Sequence, residues 1–466
     1  MTAIALPPIF VIASAVANEC RAQQPAASDV SPLALSVLSQ RDKDVVRLAG
    51  SSLAMRDSDG KPTGTESPDA ASLGGMTGIA GAISTALQSY PGIRAAGASV
   101  SAQEANVDQA RYGHWPTVGY QATRQIASDD PINLPTGFSG SPVMKLNLYA
   151  GGSINATIRA QRSKLDEVKY QVMSEQDTTA LNVAQAYIDW FRASESLRYA
   201  LENEQRHEKL VADIGEMAKI DRGRAADYQQ ALVRLSSAKQ TVVDYQGLQR
   251  QAASSLLRYT GSMPKGVPSL EDPVIDRMPV PDTLPHAQEN AVSAHPDVRA
   301  AFADWQYQQG NVSVAKASLL PRVDLTAATK GRSVGITMTW TGFDMAARSA
   351  VKTAQYSAIS SRESYEEAGR KAVDGVTSAW AAYERAKDRL PMAQSQDQLG
   401  LQVADSYRLQ FQIGRRTLLD LLNSYSELLS NQVNAVQTQA DLAVARYSLQ
   451  AALGQLYQGY SEHGGA

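Results

Sequence analysis

The sequence has 466 residues, of which 6% are aromatic and only one is cysteine. Such a composition does not favour a large aromatic-filled globular core, and one cysteine cannot form an internal disulfide. The 44 Lys and Arg residues are balanced by 47 Asp and Glu residues, so no net positive charge favours binding to nucleic acid. The five histidines lack metal-ligand spacing, and no glycine-rich phosphate loop is present, so we expect neither an enzyme nor a cofactor.

The N-terminal residues 1–17 predict a signal peptide. They are apolar, and Ala15 and Ala17 give the small-x-small pattern of a signal-peptidase site. No Lys or Arg precedes the apolar stretch, which leaves a frayed terminus or a misplaced start codon as alternatives. Glu19 precedes Cys20 where a lipoprotein signal requires a small residue, so we expect no lipid anchor.

Most of the remaining sequence is a tandem duplication. Residues 90–96 (YPGIRAA) recur as residues 295–301 (HPDVRAA), and further matches keep the same order downstream. The repeats are predicted to span residues 78–263 and 285–457, joined by a proline-rich linker at residues 264–284.

Two flanking segments lie outside this duplication. Residues 18–77 are rich in Ser, Gly, Asp and Pro and predict a disordered or irregular extension. Residues 458–466 are predicted to form a C-terminal tail.

Each repeat predicts a helix, two strands and then a long helical region. Residues 143–263 contain no proline, and those after Gly152 are mostly good helix formers. Two helices of about 50 residues each would be about 75 Å long. The second repeat has small or apolar residues at coiled-coil spacing: Leu429, Val433, Val436, Ala440, Ala443 and Tyr447. A coiled-coil scaffold would explain these helices equally well, so the strands must decide the class.

Apolar and polar residues alternate along the predicted strands. Val334, Ile336 and Met338 occupy every second position, a pattern typical of a strand with one face toward lipid and one toward water. No segment after the N-terminus has the 18 or more uninterrupted apolar residues of a membrane helix. We therefore expect any membrane span to consist of strands, with these three side chains facing outer-membrane lipid.

Aromatic residues stand where the strands begin and end. Trp115 precedes the first strand, and Tyr149 and Trp340 occupy equivalent positions at the ends of the second and fourth strands. These positions are typical of an interfacial aromatic belt. A longer polar loop at residues 128–141 and a short turn near residues 330–332 are predicted to connect the two strand pairs.

Four strands cannot close a barrel, whereas three chains would supply twelve and pair every edge. The predicted fold is mainly α with membrane β: a duplicated helix, hairpin and long-helix unit forming a trimeric 12-stranded β-barrel continuous with a long α-helical barrel. The alternative is a periplasmic coiled-coil adaptor or scaffold without a pore, which would share the helices but not the strand pairs.

Several motifs occur in order along residues 78–455. They are the doubled Pro-x-x-Arg-Ala-Ala segment, the proline-initiated strands, residues 148–152 (LYAGG) before a long helix, and residues 411–423 (FQIGRRTLLDLLN). Together they resemble the TolC family of outer-membrane efflux and type I secretion channels. The resemblance implies a homotrimer in the cell outer membrane with a long periplasmic portion. It also implies a periplasmic adaptor and an inner-membrane ABC or RND-type pump as partners, for export of proteins or small molecules.

The resemblance further implies a gate at the periplasmic end. Carried over by motif, Arg416 ties inner helices to outer ones and reaches Asp227, while Phe411 stands at the position of the family's tyrosine. Asp420 is the first residue of an acidic ring that lines the constriction, and Asn423 stands at the second ring position. Phe411 has no hydroxyl and Asn423 has no charge, so we expect a gate that is tied less firmly and attracts cations less.

Overall fold

A computed structural model of the chain describes residues 78–124, 138–328 and 333–463. The predicted signal peptide and the extension at residues 18–77 lie outside the described residues, as do the predicted turn near residues 330–332 and most of the predicted loop at 128–141. The last residues of that loop belong to a strand, which begins at Phe138.

Both repeats fold into the same order of elements. The first contains α1 (Gly78–Ser89), α2 (Pro91–Tyr112), β1 (Thr117–Arg124), β2 (Phe138–Tyr149), α3 (Ser153–Ile220) and α4 (Ala225–Thr260). A short helix, α5 (Pro273–Arg277), separates it from the second repeat. The second contains α6 (Leu284–Ala294), α7 (Pro296–Ala317), β3 (Arg322–Ala328), β4 (Ser333–Thr339), α8 (Met345–Gln412) and α9 (Leu418–Ala452), followed by α10 (Leu456–His463). The matching order confirms the duplication.

Equivalent prolines start the equivalent helices α2 and α7. Pro91 and Pro296 occupy the first helical turn, where a missing N–H costs no hydrogen bond. His295 precedes Pro296, and its Nδ1 accepts a hydrogen bond from the backbone N–H of Asp297 at 3.2 Å. This histidine therefore has a structural role at the start of a helix.

The two helices of each long hairpin differ in length, rather than having about 50 residues each. Helices α3 and α8 contain 68 residues, about 100 Å at 1.5 Å per residue, whereas α4 and α9 contain 36 and 35. The backbone turns at Gly261 after α4 and at Gly454 after α9, both with the positive φ that glycine adopts without strain. The shorter helices α1, α2, α6 and α7 pack along the remaining length of the long ones.

Small residues allow the helices to approach closely. A Cβ atom added to Gly310 on α7 would lie 2.7 Å from the Cβ of Ala160 on α3, so this crossing has no room for a larger side chain. The buried apolar residues form three clusters along the bundle. One of these clusters lies beside the α3–α4 and α8–α9 turns, and it includes Phe411, Leu421 and Leu422.

A buried carboxylate fastens the segment between the repeats to the bundle. Asp272 is 1% exposed and accepts hydrogen bonds from the N–H groups of Val274 and Ile275 at the start of α5. It also accepts from the hydroxyls of Tyr447 on α9 and Tyr460 on α10. Burial and this carboxylate raise the pKa of both tyrosines, so both hydroxyls remain protonated donors. Residues 264–284, predicted as a linker, thus contain an anchored helix.

Candidate functional site

The four strands form one antiparallel sheet in the order β1-β2-β3-β4. Strands β2 and β3 pair with each other, so the sheet joins the two repeats, while β1 and β4 are its edges. Directly paired residues have side chains on the same face. The register therefore assigns each side chain to one of two faces.

One face is apolar and exposed. Met338 pairs with Val323 and Ile336 pairs with Leu325, so the three residues predicted to face lipid share a face with apolar partners. Val334, Ile336 and Met338 are 73%, 69% and 62% exposed in the chain. An exposed apolar surface of this kind marks contact with a membrane or another protein.

The aromatic residues predicted to form the belt are also exposed. Tyr149 is half exposed and pairs with Val323, because an irregularity between Asn147 and Tyr149 shifts the register by one residue. This shift brings Tyr149 to the apolar face. Trp115 and Trp340 are 68% and 59% exposed, and the indole N–H of Trp340 donates to the carbonyl of Leu319 at 3.2 Å.

The opposite face carries a cluster of charged and polar side chains that the sequence reasoning missed. Asp324 on β3 is 7% exposed. Its carboxylate accepts from Arg322 Nε at 3.0 and 3.1 Å and from Asn147 Nδ2 at 2.8 Å. Lys145 Nζ lies 3.4 Å from the same carboxylate. We call Lys145, Asn147, Arg322 and Asp324 the junction cluster, because they lie where β2 ends and β3 begins beside the helices.

Apart from Asp227, the predicted gate and constriction residues lie around the turn between α8 and α9. Arg416 Nε donates to Gln410 Oε1 at 3.1 Å, and its guanidinium carbon lies 4.2 Å from the ring centre of Tyr407. Its NH1 is 3.9 Å from Asp420 Oδ2. Both side chains of this ion pair are more than a third exposed, so it contributes at most about 1 kcal/mol.

Asp420 also closes a capping box at the start of α9. The Thr417 hydroxyl accepts from the Asp420 N–H at 3.2 Å and donates to its carboxylate at 2.8 Å. The carboxylate accepts from the Thr417 N–H at 3.4 Å, which satisfies a backbone donor at the helix end. Asn423, predicted at the second ring position, lies one turn further along α9 and is exposed.

Arg416 does not contact Asp227 within the described residues of one chain. Asp227 is half-buried in the first turn of α4, and α4 packs on α3, whereas α9 packs on α3 and α8. Helix α3 thus lies between α4 and α9. Phe411 is buried in the neighbouring apolar cluster, and Tyr407, one turn earlier on α8, is the aromatic residue that contacts Arg416.

Comparison with known proteins identifies the family. The family model described as "Outer membrane efflux protein" matches residues 82–262 and 288–455, one segment in each repeat. The chain belongs to this family. It is therefore an outer-membrane channel of a tripartite export system with a periplasmic portion, and it is not an enzyme. As an outer membrane efflux protein it is a homotrimer that works with a periplasmic adaptor and an inner-membrane pump, which sets aside the scaffold without a pore.

Individual relatives agree with the family assignment. The outer membrane efflux protein BepC of Brucella suis biovar 1 is 23% identical over 81% of this chain and 85% of its own length. The outer-membrane channel OprN has a similar fold, with a TM-score of 0.69 and 20% identity over 82% of this chain and 90% of that one. The CmeC outer membrane channel of Campylobacter jejuni also has a TM-score of 0.69, with 16% identity over 81% of this chain and 85% of that one.

The described residues of this outer membrane efflux protein contain neither a membrane-spanning helix nor a metal-binding cluster. Among residues 78–124, 138–328 and 333–463, no helix combines the length and apolar character needed to cross a membrane. The same described ranges contain no group of three or more His, Cys, Asp or Glu residues that could hold a metal ion.

Proposed function

We propose that three copies of the sheet join edge to edge into a closed barrel of twelve strands that serves as the membrane pore. The observation that carries this proposal is the sheet itself, which has one exposed apolar face, one polar face and unpaired edges at β1 and β4. A sheet in lipid cannot leave its edge N–H and C=O groups unpaired. Pairing β4 of one copy with β1 of the next satisfies both edges, with the apolar face toward lipid.

The order of helix packing also supports a ring of three copies. Helix α3 packs against both α4 and α9, and α9 packs in turn against α8, which leaves α4 and α8 at the edges of this part of the chain. Both edge helices expose apolar side chains: Val233 and Val243 on α4, and Leu399 and Leu409 on α8. Exposed apolar residues on both edges favour contact between α8 of one copy and α4 of the next.

The turns at the far ends of the long helices act as the gate in this proposal. Arg416 follows α8 and Asp227 begins α4, so a ring formed through these edges would bring Arg416 toward Asp227 of a neighbouring copy. Phe411 anchors the turn in the apolar cluster, and Asp420 and Asn423 would line the constriction. Three partly exposed ion pairs acting on one closed state could together contribute up to about 3 kcal/mol.

Single-channel recording in planar bilayers tests the gate. We expect Arg416→Ser to increase conductance or open time, because losing about 3 kcal/mol would raise the open population by about a hundredfold. Asp227→Ala should have the same effect. Asp420→Ala should weaken block by multivalent cations.

Lys219→Ser is a matched control for Arg416→Ser. Lys219 lies near the other turn and pairs with Glu216 in its own helix. Channels of Arg416→Ser and Asp227→Ala that conduct like the wild type would show that these residues are ordinary surface charges. Crosslinking in detergent tests the ring separately, because it should yield a three-chain species, and a monomer with full β content would contradict it.

A further inference from the structure

The polar face of the sheet carries an uneven charge. In the described strand residues, the charged side chains on this face are Lys145, Arg322 and Asp324. Two positive charges and one negative charge leave one net positive charge per chain. The rest of the face consists of small, apolar or uncharged polar residues, so this charge has no counterpart along the strands.

The junction cluster holds its two cations in fixed positions. Asp324 is nearly buried beneath them, with both carboxylate oxygens engaged by Arg322 and Asn147. The side chains of Lys145 and Arg322 remain 50% and 54% exposed. The carboxylate of Asp324 contacts both cations, yet about half of each cationic side chain stays exposed. A solute at the polar face would therefore meet both positive charges.

We propose that Lys145 and Arg322, positioned by Asp324, form a positively charged ring inside the pore where the sheet meets the helices, and that this ring favours passage of anions and of acidic groups on the exported substrate. The inference rests on the proposed closed barrel, in which the polar face lines the water-filled interior. Three copies would place three net positive charges at one level of the pore. Charge of one sign in a confined pore concentrates counter-ions.

Ion selectivity in planar bilayers tests this proposal. The permeability ratio of chloride to potassium is measured from the reversal potential in a tenfold KCl gradient with about 0.1 M salt on the concentrated side, where the screening length is about 10 Å. Removing one charge per chain at that range should change the ratio by roughly two- to fourfold. The effect should largely disappear near 1 M salt, where the screening length is about 3 Å.

Paired variants give opposite expectations. Lys145→Gln removes the net positive charge and should lower the chloride-to-potassium ratio, whereas Asp324→Asn adds one and should raise it. The double variant Lys145→Gln, Asp324→Asn restores the wild-type charge and should restore the wild-type ratio. Lys265→Gln, the same charge loss on the exposed segment after α4, should leave the ratio unchanged. Heat-modifiable gel migration checks that each variant assembles.

Three results would overturn the proposal. The first is a shift of the chloride-to-potassium ratio in the same direction in Lys145→Gln and Asp324→Asn. The second is a ratio in both variants equal to that of Lys265→Gln. Either result would leave the pore itself established. A lack of current from both the wild type and the Arg416→Ser variant would contradict the proposed pore and this ring with it.

Discussion

Asp177 should make the stability of the periplasmic bundle depend on pH. This α3 carboxylate is 7% exposed and accepts a hydrogen bond from the backbone N–H of Tyr457 at the start of α10. Burial raises the pKa of Asp177 from 3.8 to about 7, with a smaller contribution from the negative charge of Asp297, while the hydrogen bond from Tyr457 opposes the rise. The carboxylate therefore stays protonated in the folded chain at a pH where the unfolded chain has released the proton.

The sign of the effect follows from proton binding. Between pH 3.8 and about 7 the folded state binds one more proton than the unfolded state, so the free energy of unfolding falls as pH rises. Stabilisation is complete below pH 3.8 and is lost as pH rises through about 7. At 1.36 kcal/mol per pKa unit, the loss is at most about 4 kcal/mol per chain.

We expect Asp177→Asn to remove this dependence, because asparagine still accepts from the Tyr457 N–H but never ionises. Denaturant unfolding in detergent should show the variant close to the wild type at pH 4 and more stable at pH 8. Hydrogen exchange at the Tyr457 amide should slow in the variant at pH 8, after correction for intrinsic rates. Burial also lowers the pKa of His295, but that contribution is common to both proteins and cancels in the comparison.

Asp166→Asn is the matched control, since Asp166 lies on the same helix and is exposed. It should follow the wild-type pH profile. Parallel profiles for the wild type and Asp177→Asn would refute the reasoning, because they would show that Asp177 ionises in the folded chain as readily as in the unfolded one.

Two further predictions concern the sheet and the turn. An Arg on the apolar face should cost about 2 to 4 kcal/mol per chain near the bilayer midplane and less toward the interfaces, so Met338→Arg should reduce heat-modifiable trimer in outer-membrane fractions more than Thr337→Arg, which lies on the polar face. Equal losses would contradict the face assignment. Thr417→Ala should destabilise the start of α9 by about 1 kcal/mol and speed tryptic cleavage after Arg416, whereas Thr417→Ser should preserve the capping box. Equal cleavage rates would show that the box adds no protection.

The sequence allowed the duplication, the alternating strands and the family resemblance to be predicted. The recurrence of residues 90–96 at 295–301 located the equivalent helix starts, and alternation at Val334, Ile336 and Met338 matched one face of the observed sheet. The helix lengths were predicted wrongly, because an equal division of the helical region ignored Asp221 and Gly223, two weak helix formers that follow the α3 terminus at Ile220.

The candidate site was predictable only where its signal is local. The capping box of Thr417 and Asp420 is visible as a Thr-x-x-Asp pattern, although the sequence reasoning assigned Asp420 to a ring and overlooked the box. Contact between Arg416 and Tyr407 depends on how the chain turns after α8. The junction cluster depends on a register between strands of different repeats, which no local pattern specifies.

The unequal hairpins have a geometric consequence for the passage through the assembly. At most levels each repeat contributes one long helix and one short helix, so a trimer would have about as many helices around its circumference as strands in its barrel. Helices pack 8 to 10 Å apart, whereas tilted strands spaced about 4.8 Å apart each occupy about 6 Å of circumference. A single ring of helices would therefore be roughly one and a half times as wide as the ring of strands. Substrate travelling outward would leave a broad vestibule and enter a narrower neck, and the junction cluster would stand at the rim of that neck.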